Sequence, residues 1–194
     1  MNKKEIRMIT AEFRAVETED GKMVIEGYPI TFNAPATHWG MTEIIDREAL
    51  KECDMTDVPL RYNHEEAFLI LARTRNASLQ LITDDIGLKM RAELIDTQSN
   101  VDIYKSIQSG LLDKMSFAFT TEKEEYDYDT DTRRILKIDK LWDVSVVDVP
   151  YYDTTSVYAR KLDNSEEYYK NIQTEKRKRL AEKLKRQELI EKLK

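Results

Sequence analysis

The sequence predicts a β-rich α+β fold, namely a mainly antiparallel, closed or nearly closed β-barrel with peripheral helices, followed by a long charged C-terminal helix. Apolar and polar residues alternate with a period of two through most of residues 1–160, as in strands that bury one face. Residues 166–194 contain no glycine or proline and are rich in helix-forming Glu, Lys, Arg, Gln and Leu. We therefore divide the 194 residues into a domain, 1–160, and a charged helical tail, 161–194.

The strands of the domain follow from this alternation and from the turn residues between the segments. Strands are predicted at 6–14, 23–32, 57–62, 68–74, 77–83, 88–95, 114–123 and 133–148. The first two should pair with each other, because Asp20 and Gly21 between them supply the positive φ that a tight hairpin turn needs.

Two helices are predicted within the domain. A short helix at 46–53 has Asp46 as its N-cap, since an aspartate side chain can accept hydrogen bonds from the first free backbone N–H groups. A longer helix at 96–108 should end at Gly110, because glycine favours the left-handed conformation that terminates helices.

The tail differs from the domain in charge. Residues 161–194 carry 11 Lys and Arg against 7 Asp and Glu, a net charge of +4, whereas residues 1–160 carry 20 against 30, a net charge of −10. The apolar residues of the tail are sparse and loosely spaced, so a helix there would bury little surface. A solvated extension, a docking helix for a partner and a removable pro-segment all stay open as interpretations.

Composition restricts the classes of function. The sequence has no apolar run near the roughly 20 residues that a membrane helix needs and no secretory signal, so we expect a cytosolic protein without a membrane partner. The single cysteine, Cys53, excludes an internal disulfide. One cysteine and two scattered histidines also argue against a structural zinc site, and we expect no metal or cofactor.

Ser116 is the candidate nucleophile. In the strand predicted at 114–123, Phe117 and Phe119 point to one face and Ser116 and Ala118 to the other. The aromatic face should enter the core, and Ser116 should emerge on a surface of small residues that a substrate backbone can approach. The alternative interpretation is that the small residues only accommodate a neighbouring helix.

His64 is the candidate general base. It follows a strand that ends in the polar run 61–66, which indicates a sheet rim or a loop where an imidazole stays hydrated and titrates near neutrality. An ordinary surface histidine that hydrogen-bonds to Glu65 or Asn63 is the alternative interpretation.

Asp143 is the candidate orienting carboxylate. It lies on one face of an otherwise apolar strand, where a buried acid needs a partner. That partner is either a cation such as Arg61 or Lys140, which would make a structural ion pair, or the imidazole of His64. In the second case the chain would hold base, nucleophile and carboxylate for acyl transfer.

Cys53 and His38 are the rival nucleophile and the backup base. The acidic neighbours Glu52, Asp54 and Asp57 should raise the pKa of the Cys53 thiol and suppress the reactive thiolate. His38 lies in a predicted loop and is more typical of a surface residue.

Five segments, taken in order, resemble the prohead maturation protease family of tailed bacteriophages. They are Glu-Gly-Tyr-Pro-Ile-Thr-Phe-Asn at 26–33, Glu-Ile-Ile-Asp-Arg-Glu-Ala-Leu at 43–50, Val-Pro-Leu with Asn-His-Glu at 58–65, Ser-Gly-Leu-Leu with Met-Ser-Phe-Ala-Phe at 109–119, and Asp-Val-Ser-Val-Val with Val-Pro at 143–150. The resemblance covers about residues 6–160.

The resemblance implies a serine endopeptidase with the fold of herpesvirus assembly proteases. By position it makes Ser116 the nucleophile, His64 the general base and Asp143 the acid, with backbone N–H groups as oxyanion donors. The family's acid is commonly Glu, and the residue two after the nucleophile is often Gly rather than Ala118. Asp148, on the opposite strand face, is the alternative acid.

The resemblance also implies where such an enzyme acts. It would be packaged inside the procapsid in the host cytoplasm, remove scaffold protein or the scaffolding segment of the major capsid protein, and then digest itself; self-association stays open. The rival interpretations are a non-catalytic module that binds capsid or scaffold protein, and a nucleic-acid-binding protein that uses the basic runs 176–179 and 183–186. The acidic domain argues against nucleic acid as a partner.

Overall fold

The structure is a computed structural model. It describes residues 4–9, 13–18, 21–38, 41–67, 69–148 and 165–192. The chain divides into two compact units, Met1–Thr155 and Ser156–Lys194. Among the described residues, no helix combines the length and the apolar character that crossing a membrane requires. The domain boundary predicted at residue 160 lies outside the described residues.

The described residues form eleven strands and two α-helices. In chain order they are β1 (Lys4–Ile9), β2 (Phe13–Glu17), β3 (Met23–Thr31), β4 (Ala36–His38), β5 (Met41–Ile45), β6 (Pro59–Tyr62), β7 (Ala72–Arg73), β8 (Leu79–Thr83), β9 (Gly87–Leu94), α1 (Gln98–Gln108), β10 (Lys114–Asp127), β11 (Thr132–Val147) and α2 (Ser165–Lys192). A 3₁₀ turn spans Thr74–Asn76.

The first sheet is built around β11. Its strands run in the order β1-β10-β11-β5-β4, with β6 attached to β11 and β7 attached to β6. One edge of β11 pairs with β10 in antiparallel fashion. The other edge is shared, because β5 pairs in parallel with the start of β11 and β6 pairs in parallel with its end. This sharing brings the chain that follows β6 to the end of β11.

The second sheet is antiparallel and has the strand order β2-β3-β9-β8. A hydrophobic cluster joins both sheets and α1; among its members are Ile25 of β3, Met90 of β9, Ile103 of α1, and Phe117 and Phe119 of β10. Both phenylalanines have no exposed surface, which confirms the prediction that the aromatic face of their strand enters the core.

The predicted closed or nearly closed barrel is wrong. The strands form two separate sheets, and β11 makes parallel pairs with β5 and β6. The strand predicted at 6–14 is also divided: β1 pairs with β10 in the first sheet, and β2 pairs with β3 in the second. The physical reason is that alternation fixes which face of a strand is buried but leaves its hydrogen-bonding partner undetermined.

The two helices predicted in the first unit have different outcomes. The longer one is confirmed as α1, which begins after the N-cap Thr97 and is followed by Gly110 at φ 76°. The helix predicted at 46–53 is wrong, because this segment forms successive turns, each closed by a hydrogen bond between residues three apart, such as Ala49 N to Asp46 O at 3.0 Å. Asp46 still accepts a hydrogen bond from Glu48 N at 3.1 Å, as a capping residue would.

A buried ion network holds β1 on the sheet. Arg7 of β1 donates from Nε to Glu43 Oε1 of β5 at 2.6 Å and from Nη2 to Glu5 Oε2 at 2.7 Å. Arg133 of β11 donates to Glu43 Oε2 at 2.8 Å and to Glu5 Oε2 at 2.6 Å. The Arg7 guanidinium also lies 5.6 Å from the centre of the Phe119 ring. These contacts occupy one face of β1 and leave its other face beside Ser116.

Replacing Glu43 with glutamine should destabilise the fold by about 3 kcal/mol, because two buried guanidinium groups would lose their shared carboxylate. Urea unfolding of the full chain measures this loss. The matched control is Glu48→Gln, whose exposed pair with Lys51 should contribute nothing measurable. Equal unfolding midpoints for the two variants would contradict a stabilising role for the network.

Stability should also fall in acid because of Glu5. Burial raises the pKa of Glu5, but hydrogen bonds and charge from Arg133 and the charge of Arg7 outweigh it and lower the pKa from 4.5 to about 2. A group whose pKa is lower in the folded state stabilises fully above its unfolded value. The contribution should therefore be present above pH 4.5 and disappear as the pH falls towards about 2. Urea midpoints measured across this range, with Glu5→Gln as the comparison, test the prediction.

Candidate active site

The structure brings Ser116, His64 and Asp143 together. His64 Nε2 lies 2.6 Å from Ser116 Oγ, and His64 Nδ1 lies 2.5 Å from Asp143 Oδ1. Ser116 is on β10 and pairs in register with Ser145 of β11, two residues beyond Asp143. Because alternate residues of a strand share a face, Ser116, Asp143 and Ser145 stand on the same face of the first sheet.

A tight turn aims His64 at this face. Asn63 and His64 have φ of 51° and 58°, and Glu65 N donates to Tyr62 O at 3.0 Å. Positive φ at both central residues is the signature of a type I′ turn, and asparagine and histidine tolerate it better than most residues. The strained backbone is held by Asn63 N, which donates to Val146 O at 2.9 Å.

The chemistry of the three groups determines the direction of their hydrogen bonds. An ionised carboxylate only accepts, so His64 Nδ1 carries a proton and donates it to Asp143. In neutral imidazole Nε2 is then the acceptor, and it faces the hydroxyl of Ser116. This is the tautomer that can take a proton from serine.

Ser116 has a second acceptor within reach. Its Oγ lies 2.9 Å from the carbonyl oxygen of Arg7 on the neighbouring strand β1. A hydroxyl has a single hydrogen, so the Arg7 carbonyl competes with His64 Nε2 for it. Strand β1 therefore touches the candidate nucleophile directly.

The site is closed to solvent, which differs from two sequence expectations. Ser116 has no exposed surface instead of emerging on a small-residue face, and the side chain of His64 is 6% exposed instead of hydrated. The tight turn places the imidazole against the sheet, and β1 lies beside the serine. Asp143 is also buried, with its side chain 2% exposed.

The surroundings of Asp143 favour its ionised carboxylate. Burial raises the pKa of Asp143, but the hydrogen bond and charge of His64, the charge of Lys4 and the hydrogen bond from Ser145 outweigh it and lower the pKa below its usual value. Lys4 Nζ lies 3.4 Å from Asp143 Oδ2. Ser145 Oγ donates to Asp143 Oδ1 at 2.9 Å.

Lys4 and Ser145 also contact the site but are not among the residues predicted for it from the sequence. The signal for Ser145 was present, because strand alternation puts it on the same face as Asp143. Lys4 carried no such signal, since it reaches Asp143 only through the pairing of β1 with β10.

The cations predicted as alternative partners of Asp143 contact other groups. Lys140 Nζ pairs with Asp54 at 2.8 Å, and Arg61 donates to the carbonyl oxygen of Glu65 at 3.0 Å. The exposed carboxylate of Asp148 accepts from Tyr62 Oη at 3.0 Å. His38 ends β4, and its side chain lies outside the described part of the structure. Asp143 is thus the carboxylate that His64 contacts.

Cys53 is poorly suited to act as a nucleophile. Burial, with smaller effects from the charges of Asp54 and Asp139, raises the pKa of its thiol to about 12. The thiolate is the reactive form, and almost none exists near neutral pH.

We expect Cys53→Ala to retain full cleavage activity and iodoacetamide to leave the native chain uninhibited. Inhibition by iodoacetamide that Cys53→Ala prevents would point to a thiol mechanism.

A serine, a histidine and an aspartate linked in this order are the arrangement used by serine hydrolases. A family model described as "Caudovirus prohead serine protease" matches residues 9–168. The chain belongs to this family, whose members are proteases of capsid assembly and maturation in tailed phages.

A solved structure of the bacteriophage T4 capsid assembly protease is similar to this chain with a TM-score of 0.45. The two share 13% sequence identity, and the match covers 74% of this chain and 98% of that chain. No curated protein matches the chain.

Proposed function

We propose that the chain is a serine endopeptidase in which Ser116 is the nucleophile, His64 the general base and Asp143 the acid that orients His64. The observation that carries the proposal is the 2.6 Å contact between His64 Nε2 and Ser116 Oγ, with Nδ1 occupied by Asp143. Family membership supports the same class of reaction.

The proposed reaction follows from these contacts. Ser116 Oγ attacks the carbonyl carbon of the scissile peptide bond while its proton passes to His64 Nε2. Asp143 stabilises the resulting imidazolium through Nδ1–H. The imidazolium then protonates the departing amine as the C–N bond breaks, and the acyl group stays on Ser116. Water, deprotonated by His64 Nε2, then attacks this ester, and the imidazolium returns the proton to Ser116 Oγ as the ester bond breaks and the acid is released.

The proposed substrates are scaffold protein or the scaffolding segment of the major capsid protein, cleaved inside the procapsid, with cleavage of the enzyme itself. Membership of the prohead protease family supports this choice. The full burial of Ser116 adds a requirement, because a substrate carbonyl cannot reach Oγ until neighbouring atoms move. Cleavage therefore requires a local rearrangement that exposes Ser116 Oγ to the substrate carbonyl.

An alkyl fluorophosphonate tests the proposal on the full chain. In an active site of this type Ser116 Oγ forms a bond to phosphorus, fluoride leaves, and His64 receives the proton. We expect mass spectrometry to find a single adduct on Ser116. The heat-denatured chain should not react, because unfolding separates Ser116 from His64 and Asp143.

Three outcomes would overturn the proposal. Labelling spread over several serines, or equal labelling of the denatured chain, would mean that Ser116 is not activated. A chain that binds scaffold protein, neither labels nor cleaves, and keeps its fold would be the non-catalytic assembly module.

A further inference from the structure

Ser145 contacts both partners of the carboxylate–imidazole pair and has no exposed surface. Its Oγ lies 2.9 Å from Asp143 Oδ1 and 3.2 Å from His64 Nδ1. In the ladder it stands directly opposite Ser116. The hydroxyl therefore lies at the junction of Ser116, His64 and Asp143.

The hydroxyl can satisfy both contacts at once. It donates its hydrogen to Asp143 Oδ1, and its lone pair faces His64 Nδ1, whose proton points to the same carboxylate oxygen. With Lys4 near Oδ2, Asp143 is held on both oxygens. A carboxylate held in this way cannot rotate away from His64. The Nδ1–H group of His64 therefore keeps its acceptor.

We propose that Ser145 is a positioning residue that fixes the Asp143 carboxylate and, through it, the tautomer and orientation of His64. This inference rests on the proposed function for its effect on catalysis. Its structural part, the ordering of the Nδ1–H bond between His64 and Asp143, can be measured without any cleavage.

A double-mutant cycle tests the effect on catalysis. Ser145→Ala should lower kcat roughly tenfold with little change in KM, because it removes one charge-assisted hydrogen bond from the site. Ser145→Thr, which restores a hydroxyl, should recover most of the rate. In an Asp143→Asn background, Ser145→Ala should cost nothing further, because Ser145 acts only through the lost carboxylate.

The matched control is Ser78→Ala. Ser78 also makes strong local hydrogen bonds, accepting from Arg73 N at 2.9 Å and donating to Asn76 Oδ1 at 2.6 Å, but it has no contact with the three site residues among those the structure describes. Its loss should change stability and leave kcat unaltered. Equal kcat for Ser145→Ala and wild type, or additive losses in the cycle, would overturn the inference.

A spectroscopic measurement separates this inference from the proposed function. The chain has two histidines, so ¹⁵N-histidine labelling yields two imidazoles, and His38→Asn assigns them. In a Ser116→Ala chain, which cannot consume itself, the Nδ1 proton of His64 should give a sharp, slowly exchanging resonance. Adding Ser145→Ala should speed its exchange with water roughly tenfold. An unchanged resonance overturns the inference even if the enzyme cleaves; a changed one supports it even if no substrate is cleaved.

Discussion

Replacing Ser116 with alanine is expected to lower the rate of peptide-bond cleavage by about 10⁴-fold or more, and His64→Ala should have an effect of similar size. The two residues act as one unit: without Oγ nothing can be acylated, and without Nε2 nothing accepts the hydroxyl proton. The double variant should therefore be no slower than either single variant.

The measurement is the appearance of new chain termini by mass spectrometry after incubation with scaffold protein. Because Ser116 and His64 are buried, urea unfolding must accompany each assay so that an unfolded variant is not read as an inactive one. His38→Ala is the matched histidine control and should cleave normally. A folded Ser116→Ala chain that still cleaves would refute the assignment of the nucleophile.

Replacing Asp143 with asparagine should lower the rate on the order of 10³-fold, less than the loss of Ser116. The amide removes the negative charge that stabilises the imidazolium. The NH₂ group of the asparagine can also donate to His64 Nδ1, which would favour the tautomer with hydrogen on Nε2. That tautomer cannot accept the proton of Ser116. Substrate binding should change little.

Asp148→Asn is the matched control for Asp143→Asn. Asp148 is exposed, and its carboxylate accepts from Tyr62 rather than His64, so its replacement should leave cleavage within about twofold of wild type. A large loss in Asp148→Asn together with an unchanged rate in Asp143→Asn would transfer the orienting role to Asp148.

Residue pattern predicted much of the local structure. Helix α1, its end near Gly110 and the buried faces of Phe117 and Phe119 all follow from short-range rules of capping and alternation. The two rejected elements depend on more than local pattern. The segment at 46–53 has an N-cap signal but forms turns, and the closed barrel required strand partners that alternation does not specify.

The candidate site, too, could be predicted from the sequence only in part. Residue type and pattern selected Ser116, His64 and Asp143 but not Ser145, although strand alternation puts Ser145 on the same face as Asp143. Their catalytic roles stay predictions. The exposure predicted for Ser116 and His64 was wrong. The tight turn at Asn63 and His64 places the imidazole against the sheet, and β1, which pairs with the distant strand β10, lies beside Ser116.

Chain pattern alone selected the candidate residues of the site and indicated the face on which each strand residue points, since both depend on neighbours within a few residues. Tertiary structure decided the distances between those groups. The 2.6 Å contact between His64 and Ser116 requires β6 to pair with the end of β11 while β10 pairs with its other edge. The contact of Lys4 with Asp143 requires β1 to join β10, more than 100 residues away. Such pairings arise from burial and hydrogen bonding summed over the whole sheet, which no local segment encodes.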